Sequence, residues 1–442
     1  NAPRQSVTAK RPAASINYGK PGDIRGLVSV LAAACDGMPL YRRMFREMGG
    51  LPKFVKLVSA PTLQHSVMYA AISAFADDDF ESQVEFRLLG MIEKLIDTLK
   101  SVRGGVVRGG VGKTARPRPL TPKRPNPPHS DPAIQVQVLA ASAITSLCGE
   151  NQENLQCFVD NGGLQALTDM LGASDVRLAL AAALALGFCC MQDAHIRNIA
   201  ASCGVPKMLV ALLQRIASPA VLNAIAEIAD AHPQCQNGFR EAGIIPMLAQ
   251  LLSPEDSEIY NKTAVTLATI CNGNPASMEE SGMRGSIPLL TAGLLDHNCA
   301  NMSAMCLATI CDNSKSNQNS ATSCIPILVG MLHTENDAIR NLYATSALRS
   351  IAEGHQENLN TLRLEGGILR LLDLLMGGVD SVVYGMVLVT LADLTSASDD
   401  NAQMVREFMD LNILQRLVKE TPEGTKQRAC GDALLRLFSA PS

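Results

Sequence analysis

One phrase recurs along this chain. It runs from a small residue or glycine to an aliphatic residue, often a proline, and then to an aliphatic run ending in a Leu or Met pair. It stands at Gly50-Leu51-Pro52, Gly204-Val205-Pro206, Gly243-Ile244-Ile245-Pro246, Ser286-Ile287-Pro288 and Cys324-Ile325-Pro326. Versions without proline stand at Gly162-Gly163-Leu164, Gly366-Gly367-Ile368 and Leu411-Asn412-Ile413. Pro206, Pro246, Pro288 and Pro326 are separated by 40, 42 and 38 residues. A period of that length belongs to solenoids with two or three helices per repeat. It also overrides the inference from length. A chain of 442 residues would ordinarily suggest about three domains, but a repeat protein extends its core along one axis instead.

The phrase is helix punctuation. Glycine ends one helix by adopting a left-handed conformation, and proline starts the next, where its missing N–H costs nothing. About 20 residues later a second phrase follows, as in Ala264-Val265-Thr266-Leu267-Ala268-Thr269-Ile270-Cys271 and Ala304-Met305-Cys306-Leu307-Ala308-Thr309-Ile310-Cys311. Its apolar residues fall at i, i+3 and i+4, which is helical period. Capping turns precede it, such as Ser253-Pro254-Glu255-Asp256 and His333-Thr334-Glu335-Asn336-Asp337. Aromatic residues make up only 4% of the chain and Trp is absent. Ala, Leu, Ile, Val, Met and Cys must therefore build most of the core, and the chain reads as all-α.

With these two phrases on the page, the sequence resembles the armadillo-repeat family. That family pairs a short first helix with a second helix opening Gly-x-x-Pro-x-Leu and a long third helix carrying Ala-x-x-Leu-x-x-Leu. The resemblance implies a right-handed superhelical solenoid of about nine three-helix repeats, opening near residues 37, 79, 151, 192, 233, 275, 314, 355 and 399. A third-helix fragment at 23–35 precedes them. HEAT-like repeats are the alternative architecture. The expected organisation is a basic tail at 1–22, a cap and first repeats at 23–100, a basic insertion at 101–131, and further repeats at 132–442.

Net charge is −4, but it is unevenly distributed. Residues 1–22 carry four basic residues and no acid. Residues 101–130 carry Arg103, Arg108, Lys113, Arg116, Arg118, Lys123 and Arg124, again with no acid. The remainder is therefore strongly acidic. The insertion is rich in Gly and Pro, a composition that cannot bury a core and reads as a flexible loop. It is either a solvated loop or a basic tether for an acidic surface such as a tubulin tail. Gly112-Lys113-Thr114 is not read as a phosphate loop. Position 107 is Val where that motif needs Gly, and no strand precedes it.

In armadillo proteins the third helices line a groove, and two solvent-facing ladders flank the central Leu. The resemblance places the first ladder on Ser142, Leu184, Asn223, Val265, Met305, Ser346 and Val389, and the second on Ser146, Phe188, Glu227, Thr269, Thr309, Ser350 and Asp393. The importin-α type has Trp on the first ladder and Asn on the second. Here Trp is absent and the second ladder has no Asn, which argues against recognition of nuclear-localisation signals. The expected groove is neutral and mildly apolar, suited to an amphipathic helix or an extended segment. Phe188, Val265, Met305 and Val389 can equally be packing residues between third helices.

The 13 cysteines are an odd count, many of them inside Ala-rich helical runs. That argues for buried free thiols in a reducing compartment. No uninterrupted apolar run is long enough for a membrane span, and no secretory leader is expected. The seven histidines lack metal-site spacing, and the acid pairs Asp77-Asp78-Asp79, Glu279-Glu280 and Asp399-Asp400 are read as helix starts. No nucleophile motif stands out. The expectation is a non-enzymatic, cytoplasmic protein-binding scaffold without cofactor, metal, nucleic acid or small-molecule substrate. A microtubule-associated cytoskeletal or ciliary docking protein and a nuclear transport adaptor are the alternatives.

Overall fold

The computed structural model describes residues 24–58, 65–101, 131–333, 337–377 and 381–438. The basic segment 1–22, and the insertion with Arg103, Arg108, Lys113, Arg116, Arg118, Lys123 and Arg124, lie outside the described residues. Among the described residues every regular element is helical. The chain divides into two compact units, residues 1–192 and 193–442.

The first unit holds α1 (Ile24–Cys35), α2 (Pro39–Glu47), α3 (Gly50–Val58), α4 (His65–Ala76), α5 (Phe80–Leu88), α6 (Met91–Lys100), α7 (Pro132–Cys148), α8 (Gln152–Asp160), α9 (Gly163–Leu171) and α10 (Val176–Gln192). The second holds α11 (Ala194–Ser202), α12 (Val205–Arg215), α13 (Pro219–Ala229), α14 (Pro233–Glu241), α15 (Ile244–Leu251), α16 (Ser257–Cys271), α17 (Pro275–Met283), α18 (Ser286–Leu294), α19 (Ala300–Ile310), α20 (Lys315–Ser320), α21 (Ile325–Met331), α22 (Ala338–Ala352), α23 (Gln356–Leu364), α24 (Gly367–Met376), α25 (Ser381–Ser396), α26 (Asp399–Phe408), α27 (Leu411–Glu420) and α28 (Lys426–Leu437). Two short helices and a third, usually longer, succeed one another in each unit. Third helices stack on third helices: α1, α4, α7 and α10 in the first unit, and α13, α16, α19, α22, α25 and α28 in the second. Consecutive stacking of this kind is repeat-like helical packing.

The punctuation follows from backbone chemistry. Gly90, Gly162, Gly204, Gly243, Gly285 and Gly366 sit just before the second helices with φ between 72° and 84°. An L-residue there would be forced into the left-handed region. Where glycine is missing the chain finds another route. Cys324 ends a short 3-10 turn, Thr322–Cys324, before α21, and Asp410 caps α27 with its carboxylate. The glycine doublets have two separate requirements. Gly162 needs its positive φ, whereas a Cβ on Gly163 would run into the Phe158 ring. Gly366 and Gly367 repeat the arrangement, with Leu362 as the obstacle.

The cores are lined with alanine and aliphatic residues, as expected, and several of the few aromatics join them. Phe75, Phe86, Phe158, Phe239 and Tyr260 are among the largest fully buried side chains. In the first unit Phe75 stacks on Phe45 at 4.6 Å and meets Phe54 edge-on at 5.1 Å.

A row of buried amides ties the first helices to their neighbours. Asn154, three residues past its helix cap, donates to the carbonyls of Leu147 and Gln83 at 2.7 and 2.9 Å. Asn317 donates to Ile310 and Met278 at 2.7 and 2.9 Å, and Asn358 to Ile351 and Gln318 at 2.8 and 3.0 Å. Gln236 and Gln318 reach the other way. Each donates to two carbonyls at the C-terminal end of the following third helix, Thr269 and Asn272 for Gln236, Ser350 and Glu353 for Gln318. The carbonyls at the C-terminal ends of the third helices have no partner within their own helix, so the amides satisfy groups that burial would otherwise strand.

Acid pairs are partly where the sequence reading puts them. Asp79 caps α5, and Asp399 and Asp400 fill the first turn of α26. Glu279 and Glu280 do not start a helix. They lie in the middle of α17, because Pro275 and the Asn274 cap begin that helix earlier. Among the described residues no single helix is long and apolar enough to cross a membrane. The bent pair α11–α12, at 73°, passes on length and composition alone.

Candidate functional site

The candidate site is the face presented by the third helices. The central aliphatic residues flanked by the ladders point into the core: Ile144, Leu186, Ile225, Leu267, Leu307, Leu348 and Leu391 are fully buried. Residues two before and two after them turn toward the opposite side by helical geometry.

In the first unit the candidates behave unequally. Leu184 is 51% exposed, whereas Ser142 and Phe188 are half-buried. Ser146 is buried at 8%. Met191, one turn beyond Phe188, is exposed as well.

In the second unit Asn223, Val265, Met305 and Ser346 of the first ladder are half-buried, as are Glu227, Thr269, Thr309 and Asp393 of the second. Ser350 and Val389 are buried, at 6% and 7%. For Ser146, Ser350 and Val389 the structure thus departs from a solvent-facing position. The carbonyls of Ser146 and Ser350 accept the amides of Gln83 on α5 and Gln318 on α20, and Val389 lies on α25, which packs between α22 and α28. The remaining members form a face that the core does not consume.

Several residues of this face are not legible as ladder members. Met302, Leu342 and Met386 are half-buried one turn before the first ladder on α19, α22 and α25. With Val265 and Met305 they form an apolar band across consecutive packed helices. Their signal in the sequence is the same helical period, extended by one turn.

The polar members are partly occupied, with Asn223 and Ser346 forming no side-chain hydrogen bond among the described residues. Thr269 Oγ1 donates to Val265 O at 2.9 Å, and Thr309 Oγ1 to Met305 O at 3.3 Å. Asn261 donates to the Asn298 carbonyl at 3.0 Å. Hydroxyls bonded back to their own helix have little left for a ligand backbone.

The charged members are asymmetric. Arg349 Nε bonds Asp393 Oδ2 at 2.5 Å, and its Nη2 lies 3.3 Å from Glu353. Burial pushes the Glu227 carboxyl above the usual carboxylate range, with nearby Lys262 pulling the other way. Asp230 and Glu353 stand at the C-terminal ends of α13 and α22, and Asp312 stands just beyond α19.

All 13 cysteines are free. Burial raises the thiols of Cys148, Cys189, Cys271, Cys306 and Cys311 well above their ordinary value, and those of Cys235 and Cys299 to about 11. Thiols held protonated in this way act as packing groups, not nucleophiles.

No family model matches the chain, and no curated protein matches it. Solved structures do. The crystal structure of an engineered protein is similar over 95% of both chains, with a TM-score of 0.74 and 22% identity. A second engineered protein aligns with 54% of this chain and 98% of its own, with a TM-score of 0.50 and 24% identity. These likenesses establish the all-helical, repeat-like fold.

Proposed function

We propose that this chain is a non-enzymatic scaffold of the armadillo-repeat type that binds other proteins through its third-helix surface. On this reading its helices form about nine three-helix repeats wound in a right-handed superhelix, and the chain works in the cytoplasm. The observation that carries the proposal is the third-helix face of the second unit. There Val265, Met302, Met305, Leu342 and Met386 remain half-buried across neighbouring helices. A contiguous, partly apolar surface is what a docking partner covers. The protonated, buried cysteines and the acids employed as helix caps support a role without catalysis.

Site-directed photo-crosslinking in the source cell tests the proposal. A crosslinker at Met305 or Ser346 should capture specific proteins that one at Glu279 or Asp400, on first helices, does not. Identical capture patterns from all four positions would overturn the reading.

A further inference from the structure

Two features of the second unit's third-helix face limit what can lie on it. The first is that unoccupied side-chain donors and acceptors on it are few, Asn223 and Ser346 being the half-buried ladder residues without a partner among the described residues. Thr269, Thr309 and Asn261 already bond the protein's own backbone. An extended segment brings more unpaired backbone groups than Asn223 and Ser346 can satisfy, whereas a helix satisfies its own. The apolar band crosses α16, α19, α22 and α25. At packed-helix spacings it spans roughly 25–30 Å, about the length of an 18-residue helix.

The second feature is the edge where the third helices end. Asp312 and Glu353 stand there, with Glu227 and Asp393 one turn back. Asp230 takes the same place on α13. Carboxylates at a helix C-terminus oppose the helix dipole, so helix stability does not account for them. The cations nearby are largely committed. Lys262 faces Glu227, and Arg349 is shared between Asp393 and Glu353. Arg197 and Lys315 approach from the first helices and bond the backbone carbonyls of Asp230 and Gly354. Asp230 and Asp312 form no ion pair among the described residues.

We propose that this face receives an amphipathic helix of a partner protein, its apolar side on the Val265–Met386 band and a row of Lys or Arg against Asp312, Glu353 and Asp393. The inference rests on the docking reading above and adds the partner's conformation and charge. The insertion's own basic residues could compete for the edge, but they lack the apolar periodicity that the band requires.

Fluorescence anisotropy with three synthetic peptides on the full chain provides the test. One is a helical peptide with leucines on one side and lysines flanking them. The second has glutamates in place of the lysines, and the third keeps the lysine composition but scrambles the leucine spacing. The lysine peptide should bind about tenfold or more tighter than either other peptide, and the gap to the glutamate peptide should narrow with added salt. The double variant Asp312→Asn, Glu353→Gln should weaken the lysine peptide severalfold, and Met305→Glu should abolish its apolar seating. Three results would each overturn the proposal: equal binding of the glutamate peptide, equal binding of the scrambled peptide, or no binding of any peptide. If the crosslinks at Met305 persist in any of those cases, docking on this face stands and only the helical, basic partner is lost.

Discussion

Asn358 hands its side-chain amide to the Gln318 carbonyl at 3.0 Å, while Gln318 extends its own amide to Ser350 and Glu353. The two residues thereby link three helices, α20, α22 and α23, through backbone carbonyls. Asn358 is fully buried.

Asn358→Ala therefore removes three side-chain hydrogen bonds, those to Gln318 and Ile351 and the one it accepts from Thr322, and strands the Ile351 carbonyl, whereas the Gln318 carbonyl keeps the Ala321 N–H. A loss of about 2–4 kcal/mol follows from the lost bonds and the stranded carbonyl. Asn358→Asp should be worse, because it sets carboxylate oxygens against carbonyl oxygens. Urea denaturation of both variants, with hydrogen exchange in α20 and α23, checks the order. Wild-type stability in Asn358→Asp would refute it.

Adjacent glycines 162 and 163 should fail for different reasons. Gly162→Ala forces a positive φ on an L-residue and costs about 1–2 kcal/mol, and Gly162→Asn should recover part of that. Gly163→Ala overpacks against Phe158 and costs about 1–3 kcal/mol. Here the recovery comes from shortening the neighbour, in Gly163→Ala with Phe158→Leu. Thermal melts of the four variants would separate conformation from crowding.

His232 caps α14 by accepting from the Cys235 N–H at its Nδ1, 3.2 Å away. Acceptance requires the neutral ring. Burial, with Arg197 nearby, lowers its pKa below the ordinary histidine value. The unfolded chain then binds more protons than the folded one, so stability rises with pH across this window. The contribution is complete above about pH 6.5 and declines as pH falls below it. His232→Asn keeps a cap without the titration, so its stability curve should be flatter between about pH 5 and 7. An unchanged slope would exclude His232 as the source.

Thiol labelling should read out burial. In the native state at neutral pH, Cys203 is half-buried and should react first. Cys157 and Cys430 are also half-buried, but desolvation and the neighbouring acids Glu93 and Asp393 raise their pKa values, so they should follow more slowly. Cys148, Cys189, Cys271, Cys306 and Cys311 should label only after denaturation. Mass spectrometry of a maleimide time course would show it.

The helices were legible because their punctuation is local. Gly204-Val205-Pro206 and Gly243-Ile244-Ile245-Pro246 mark α12 and α15, and Asp256 and Asp337 cap α16 and α22 as the turns suggest. The amide ties were not legible. The carbonyls that Asn154, Asn317 and Asn358 satisfy belong to residues seven positions back and about forty or more residues away, so each residue alone reads only as a polar position in a short helix. Their signal is the recurrence of Asn or Gln three and four residues past a cap. The site was legible only in outline. Helical period places Met305 and Ser346 on one face, but it does not reveal that Ser350 and Val389 are buried. The acidic edge was missed because Asp312 and Glu353 follow the periodic residues and look like ordinary turn residues.

The amide ties also decide where the second unit would give way under tension. α20 is the shortest helix described, six residues without a side-chain cap, yet it carries both Asn317 and Gln318. α17 has Ser277 and Met278 in the matching positions, and the hydroxyls of Ser277 and Ser281 are buried without a partner. A chain drawn out from its two ends should therefore loosen sooner beside α17, where two side-chain amides are missing, than beside the stubby α20.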